Sequence, residues 1–218
     1  ILGLTMALGF SGCQSENQKN QDAYRKIGIN SMAEGDYDKA VKSFQKALDT
    51  SLGKIGAEEI DICYYKAAAQ FAKKDYDGAI ETYTSLIDYD KENANAYYLR
   101  GSVYLDTDKK DKAFKDYKNA VKYAGREYEI YEGIYENLTN KGETEEAKNY
   151  LKKALDIKPK DGADYAEQGH VYYLLEDYTQ AKSSLDRAID KDDKTALLYL
   201  AEVYNATDQQ EQGQALLE

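Results

Sequence analysis

The stretch ANAYYLRGSVYLDTDKKDKAFKDYKNAVKYAGRE, residues 94–127, decides how the rest of the chain is read. Its first half carries Tyr97, Gly101 and Tyr104, and its second half Ala113, Tyr117, Ala120 and Val121. Steps of three, four, seven and eight residues return to the same face of an α-helix, so each half is an amphipathic helix. Asp106-Thr107-Asp108 lies between the two stripes and reads as a turn. The unit is a helix–turn–helix hairpin.

Working outward, the second-helix pattern recurs along the chain. It appears as Ala40, Phe44, Ala47 and Leu48, then as Ala79, Tyr83, Leu86 and Ile87. After the copy beginning at Ala113 come Ala147, Leu151, Ala154 and Leu155, and then Ala181, Leu185, Ala188 and Ile189. The leading alanines are separated by 39, 34, 34 and 34 residues. A period of this kind is the signature of a repeat array. Upstream stripes precede the alanines, among them Tyr24, Ile27 and Gly28, and Tyr165, Gly169 and Tyr172. Short segments join the stripes, such as Glu34-Gly35-Asp36-Tyr37, Lys73-Lys74-Asp75-Tyr76, Lys141-Gly142-Glu143 and Leu175-Glu176-Asp177-Tyr178. Glycine there ends one helix in the left-handed conformation, and aspartate or threonine caps the next. A single proline in 218 residues agrees with a chain that is helical nearly throughout.

The pattern resembles the tetratricopeptide repeat over residues 21–218. That family places an aromatic, a small residue and a tyrosine in the first helix and Ala, an aromatic or Leu, and Ala in the second. Residues 94–127 and 162–195 match at every one of these places. The copy at 128–161 keeps Tyr131, Ala147, Leu151, Ala154 and the sole Pro159, but carries Tyr135 where the small residue belongs. Tyrosine also replaces the family's usual first tryptophan, with 22 Tyr and no Trp in the chain. The resemblance implies an all-α fold, a right-handed superhelical α-solenoid of about five and a half to six repeats. They fall at about 21–54, 60–93, 94–127, 128–161 and 162–195, with a partial repeat at 194–218. In the partial repeat the register that turns Leu200, Ala201 and Tyr204 inward, with Gly213 and Leu217 in the second helix, is favoured over exact 34-residue spacing, which would use Ala215 instead. Small residues let helix axes approach, and stacking buries the face that one hairpin cannot bury alone.

The first residues differ from the array. Residues 1–10, ILGLTMALGF, are apolar and uncharged, and Ser11-Gly12-Cys13 gives way to polar QSENQKN at 14–20. Ten helical residues span roughly 15 Å, the size of a signal-peptide core and about half a bilayer. Small residues before a cysteine resemble the lipobox of bacterial lipoprotein precursors, with Phe10 standing where leucine is usual. The resemblance implies a signal segment at 1–13, a diacylglyceryl group on Cys13, and export to the outer side of a bacterial cell membrane. Residues 14–20 are then a hydrated tether to that membrane. A buried N-terminal helix and a plain secretory signal with an incidental cysteine stay open as alternatives. Cys63 lies in a helical stripe and reads as a small core residue.

Charge narrows the partner. With 29 basic and 40 acidic residues the net charge is -11, which argues against nucleic acid as a partner. In the tetratricopeptide family the first helices line a concave groove, and carrying its groove positions over selects Tyr64, Phe71, Tyr98 and Leu105. It also selects Glu129, Glu132 and Glu136, then His170 and Tyr173. The implied groove is an aromatic wall leading to an acidic patch, suited to a protein or peptide segment bearing Lys or Arg. Core packing for the aromatics and a solvated face for the glutamates are the plainer alternatives. The family's clamp for C-terminal carboxylates is not matched, since of Arg25, Ile29, Tyr65, Asn95 and Leu99 only the first is cationic.

No phosphate loop, paired-histidine zinc motif or Cys-x-x-Cys occurs. Asp88-Tyr89-Asp90 and Asp106-Thr107-Asp108 lack the Gly and Glu of a calcium loop. With one histidine and two cysteines, no metal site, cofactor or catalytic residue is read from the sequence. The expected role is a lipid-anchored interaction scaffold. The alternative is a structural subunit of an envelope assembly, of the outer-membrane or pilus biogenesis type, contacting partners or a second copy of itself through its convex side or C-terminal end.

Overall fold

The computed structural model of the protein describes residues 16–51, 53 and 55–216. Their regular structure is wholly α-helical, in twelve helices. In chain order these are α1 (Glu16–Ala33), α2 (Tyr37–Asp49), α3 (Ala57–Ala72), α4 (Tyr76–Tyr89), α5 (Ala94–Asp106) and α6 (Lys110–Tyr123). They continue with α7 (Tyr128–Asn140), α8 (Thr144–Ala154), α9 (Gly162–Leu174), α10 (Tyr178–Ile189), α11 (Thr195–Ala206) and α12 (Gln210–Ala215). The chain divides into two compact units between Lys91 and Glu92. The first holds α1 to α4 and the second α5 to α12. Within each, consecutive helices pair as hairpins and the hairpins stack.

One turn geometry builds every hairpin. Gly35, Lys74, Asp108, Gly142, Glu176 and Asp208 all have positive φ, between 56° and 80°. The next residue's N–H then reaches back to a carbonyl five residues earlier, as in Asp36 to Ser31 (2.8 Å), Asp75 to Gln70 (2.8 Å) and Glu143 to Leu138 (2.9 Å). This satisfies a carbonyl the helix end would otherwise orphan. Asp36, Asp75 and Asp177 cap the following helix by accepting from the backbone N–H of Lys39, Gly78 and Gln180 at 3.0, 3.2 and 3.1 Å. Four of the six left-handed turn residues are not glycine, which left those turns weakly marked in the sequence.

The hairpin crossings depend on missing side chains. A Cβ on Gly101 would come within 2.8 Å of the Tyr117 ring, and one on Gly169 within 2.6 Å of Leu185. Only glycine lets the second-helix side chain lie flat on the first helix there. Tyr135, the large residue in the corresponding place of the 128–161 hairpin, is half-buried and packs at the edge of the core. In the first unit Phe44, Ile62 and small residues at Ala40, Ala47 and Ala69 form the core. In the second, one core gathers Tyr117, Tyr128, Ile134, Leu138 and Leu151, and another Leu185, Ala196 and Leu200. Gly213 of α12 lies against the Ala201 carbonyl and Asn205 of α11, a crossing of the same kind. Leu217 lies outside the described residues.

One reading of the N-terminal region is affected, and another lies outside the described residues. Residues 16–20, read as part of a tether, are the exposed first turns of α1. The segment contains no Gly or Pro to stop a helix, and Glu16 sits favourably at the positive end of the helix dipole. The signal segment at 1–13 with Cys13, and residues 14 and 15, lie outside the described residues. Among those described, no helix is long and apolar enough to cross a membrane.

Candidate functional site

The first-helix residues singled out by the repeat pattern take different fates. In the first unit, Tyr64 of α3 is half-buried with its ring 6.3 Å from that of Tyr83, and Phe71 meets the Tyr76 ring edge-on at 5.6 Å. Both are engaged within their own hairpin. In the second unit, Tyr98 of α5 lies over Gly133 of α7, where any Cβ would strike its hydroxyl end. Its ring also packs on Tyr117 at 6.4 Å, and burial pushes its hydroxyl pKa up. Tyr98 is a wedge between neighbouring first helices. Leu105 is only 5% exposed and belongs to the core with Tyr117, Ile134 and Leu138, so it lines no open surface. The reason is its place near the end of α5, where the hairpin closes over it.

The acidic and aromatic groups of α7, α9 and α11 come together. Glu132 and His170 are 18% and 19% exposed, and the His170 Nδ1–H faces Glu132 Oε1 at 2.9 Å. The Tyr199 ring stacks on the imidazole, with centroids 4.3 Å apart and planes within 9°. Tyr173 lies parallel to the same imidazole at 6.1 Å. Glu167, one helical turn before His170 on α9, brings a second carboxylate to the group. The ligand atoms of Glu132, Glu167 and His170 all lie within 4.8 Å of one another. Glu129, Glu136 and Glu202 are exposed. Glu129 and Glu202 still act electrostatically on this group, whereas Glu136 acts on Tyr98 instead.

The electrostatics follow from crowding of like charge. Burial first, and then the charges of Glu132 and Glu129, push the Glu167 carboxyl up to about 7, against a smaller downward pull from His170. Burial disfavours the His170 cation. The Glu132 hydrogen bond and the charges of Glu132, Glu202 and Glu167 outweigh it, and the imidazole pKa rises. The Tyr199 hydroxyl is pushed up to about 12 by burial and by Glu167, Glu132, Glu202 and Glu129. Among the described residues no Lys or Arg bridges Glu132 or Glu167; His170 is the one basic group in salt-bridge contact. The face therefore combines an excess of carboxyl groups with flat rings. Both features attract a cation, the first by charge and the second through the ring quadrupole.

Glu167, Tyr199 and Glu202 escaped the sequence reading. Glu167 stands one residue after a groove position that was carried over, and a helix is wide enough for both neighbours to reach the same face; Tyr199, like Glu202, belongs to the partial repeat. Glu202 sits in the partial repeat, whose groove positions were not carried over. The signal that could have found them is the Glu-x-x-His spacing of Glu167 and His170, which shares one helical face.

Comparison with known proteins bears on the whole array. The family profile described as "Tetratricopeptide repeat" matches residues 22–51, 94–126, 136–161 and 165–194, and a second, "TPR repeat", matches 67–108. Anaphase-promoting complex subunit 3 of Schizosaccharomyces pombe is 21% identical over 217 residues, covering 86% of this chain and 33% of that protein. Human tetratricopeptide repeat protein 13 is 27% identical over 154 residues, covering 65% of this chain and 17% of its own length. The chain thus spans a third or less of these relatives. Among solved structures, Pseudomonas aeruginosa pilF is similar with a TM-score of 0.51 and 16% identity, covering 93% of this chain and 90% of that one. A tetratricopeptide repeat protein from Parabacteroides merdae has a TM-score of 0.52 and 14% identity, covering 91% and 77%. Likeness at this level of identity speaks for the fold.

Proposed function

From the premise that this chain belongs to the tetratricopeptide repeat family, a fold that serves protein–protein interaction scaffolds, we propose that it docks a Lys- or Arg-bearing segment of a partner protein. The partner lies along α7, α9 and α11. The single observation that carries this reading is the cluster of Glu132, Glu167, His170 and Tyr199, whose carboxylates no Lys or Arg among the described residues bridges. A basic side chain entering there trades water for two carboxylates and a ring face, and exposed Glu129 and Glu202 add attraction at longer range. Tyr173 and Tyr199 supply contact area with little side-chain entropy to lose.

The test is binding of a fluorescent Lys/Arg-rich peptide at low salt. Replacing Glu129, Glu132 and Glu136 together by Gln should weaken it and flatten its salt dependence. Unaltered affinity removes this face from the function. We also propose that the scaffold is exported and held at the bacterial membrane by a lipid on Cys13, which the small residues before that cysteine support. Cys13→Ser is then expected to release the protein from the membrane fraction, and unchanged fractionation refutes the anchor.

A further inference from the structure

We infer that Glu132, Glu167 and His170 form a binding site for a single divalent transition-metal ion of the Zn2+ class. The proposal goes beyond partner docking and does not depend on it. It rests on three observations. The first is convergence: one carboxylate from α7 and a carboxylate and imidazole from α9 place their ligand atoms within 4.8 Å of one another. Ligand atoms each about 2.1 Å from one zinc ion stand about 3.4 Å apart at tetrahedral angles, so small side-chain rotations close the set. The second is rigidity. Glu167 and His170 are one turn apart on α9, the Glu-x-x-His arrangement that aims both groups to one side of a helix. The imidazole plane is fixed by the Tyr199 ring stacked at 4.3 Å.

The third observation is the charge left over. Two half-buried carboxylates share one imidazole, and no Lys or Arg bridges either of them among the described residues. Carboxylates drawn out of water in this way take up either a proton or a counter-ion, and a bound metal ion displaces the proton. A donor set of one imidazole nitrogen and two carboxylate oxygens suits a borderline ion such as Zn2+ better than Ca2+ or Mg2+, which prefer oxygen alone. Three protein ligands leave a fourth position for water or for a group from outside.

The experiment is calorimetric titration of ZnCl2 into the metal-stripped full chain, with CaCl2 as comparison and in the absence of any peptide. To remove thiol binding, it is done in a background in which Cys63 and Cys13 are serine. One equivalent of Zn2+ is expected to bind, with affinity falling by more than about tenfold in His170→Gln and in Glu167→Gln, since even outer-shell changes cost that much. Glu136→Gln should leave the affinity unchanged. Ca2+ should bind weakly and equally to all variants. Zinc binding that is absent, or that is the same in His170→Gln, overturns the site. Should a variant lose its helical circular dichroism, the Co2+ spectrum of the parent protein decides. Tetrahedral nitrogen–oxygen bands support the site, and their absence overturns it. Because no peptide is present, failure here leaves the docking proposal standing, and the reverse also holds.

Discussion

Two of the places in the second unit where titratable side chains are drawn together between helices are built to opposite rules. Between α5 and α6, Arg100 donates from Nε to Asp116 Oδ2 at 2.7 Å and from Nη2 to Oδ1 at 2.9 Å. That fork closes on itself, with side chains only 15% and 4% exposed and the rings of Tyr97 and Tyr104 flanking the guanidinium. At the cluster of α7, α9 and α11 two glutamates meet one histidine, and no Lys or Arg among the described residues bridges either carboxylate. The repeat makes the contrast sharper. One period after Arg100 and Asp116 stand Ile134 and Tyr150, both buried, and one period later Gln168 and Ser184, whose Oγ donates to Gln168 Oε1 at 3.2 Å. An ion pair, an apolar pair and a neutral hydrogen bond thus fill the same crossing. The crossing asks only that the two sides match. The glutamate cluster is the place where, among the described residues, the two sides do not match, and both proposals above complete it from outside.

The comparison breaks most sharply at the fork. Asp116→Ala removes the carboxylate from a half-buried guanidinium and is expected to cost about 3–5 kcal/mol of unfolding free energy, read by urea denaturation. Arg100→Ile with Asp116→Tyr, which copies the next repeat, should recover most of that loss. If the double substitution is as unstable as the single one, the crossing is not interchangeable and the contrast fails. The cluster should respond in the other direction. Glu167 keeps a proton up to about 7 in the folded chain, against an ordinary value of 4.5. Between those two values the folded state binds more protons than the unfolded one, so this group lowers stability as pH rises, and the penalty is complete above 7. Glu167→Gln removes the penalty. At pH 8 it should stabilise the protein by about 1–3 kcal/mol, while near pH 4 the two proteins should denature alike. A destabilised variant at pH 8 would mean that the carboxylate is already satisfied.

The sequence legibly encoded what repetition encodes. The 34-residue spacing, the Ala and Gly crossings and the turn positions gave helices and hairpins directly, because each hairpin solves the same packing problem with the same residue types. The burial of Leu105 and the wedging of Tyr98, for which core packing had stayed open, could not be read because period alone says which side of a helix a residue occupies and not how far a neighbour covers it. Glu167 was missed because its partner Glu132 is a full repeat away, and no local pattern ties the two. The non-glycine turn residues Lys74, Asp108, Glu176 and Asp208 were hard to see for a related reason: the hairpin imposes their left-handed backbone, and the residue type does not announce it. Turns that the packing can force need no glycine.

The smallest effect is also the most specific to the contrast. By spacing, Glu129, Glu132 and Glu136 are equivalent on α7, yet only Glu132 is half-buried and hydrogen-bonded to His170. The chain has one histidine, so its NMR titration is free of overlap. Burial works against the His170 cation, and the Glu132 bond and charge hold its pKa above the ordinary 6.5 nonetheless. Stability gained from that cation is present below the unfolded value and disappears as pH rises through the folded one. Glu132→Gln should therefore move the His170 titration downward and cost under about 1 kcal/mol at pH 6, with the cost gone by pH 9. Glu136→Gln should leave both the titration and the stability where they are. If the two substitutions shift His170 equally, the charge acts through solvent from the whole helix face and the cluster has no centre. If only the first does, burial has picked one glutamate out of three that the sequence wrote alike.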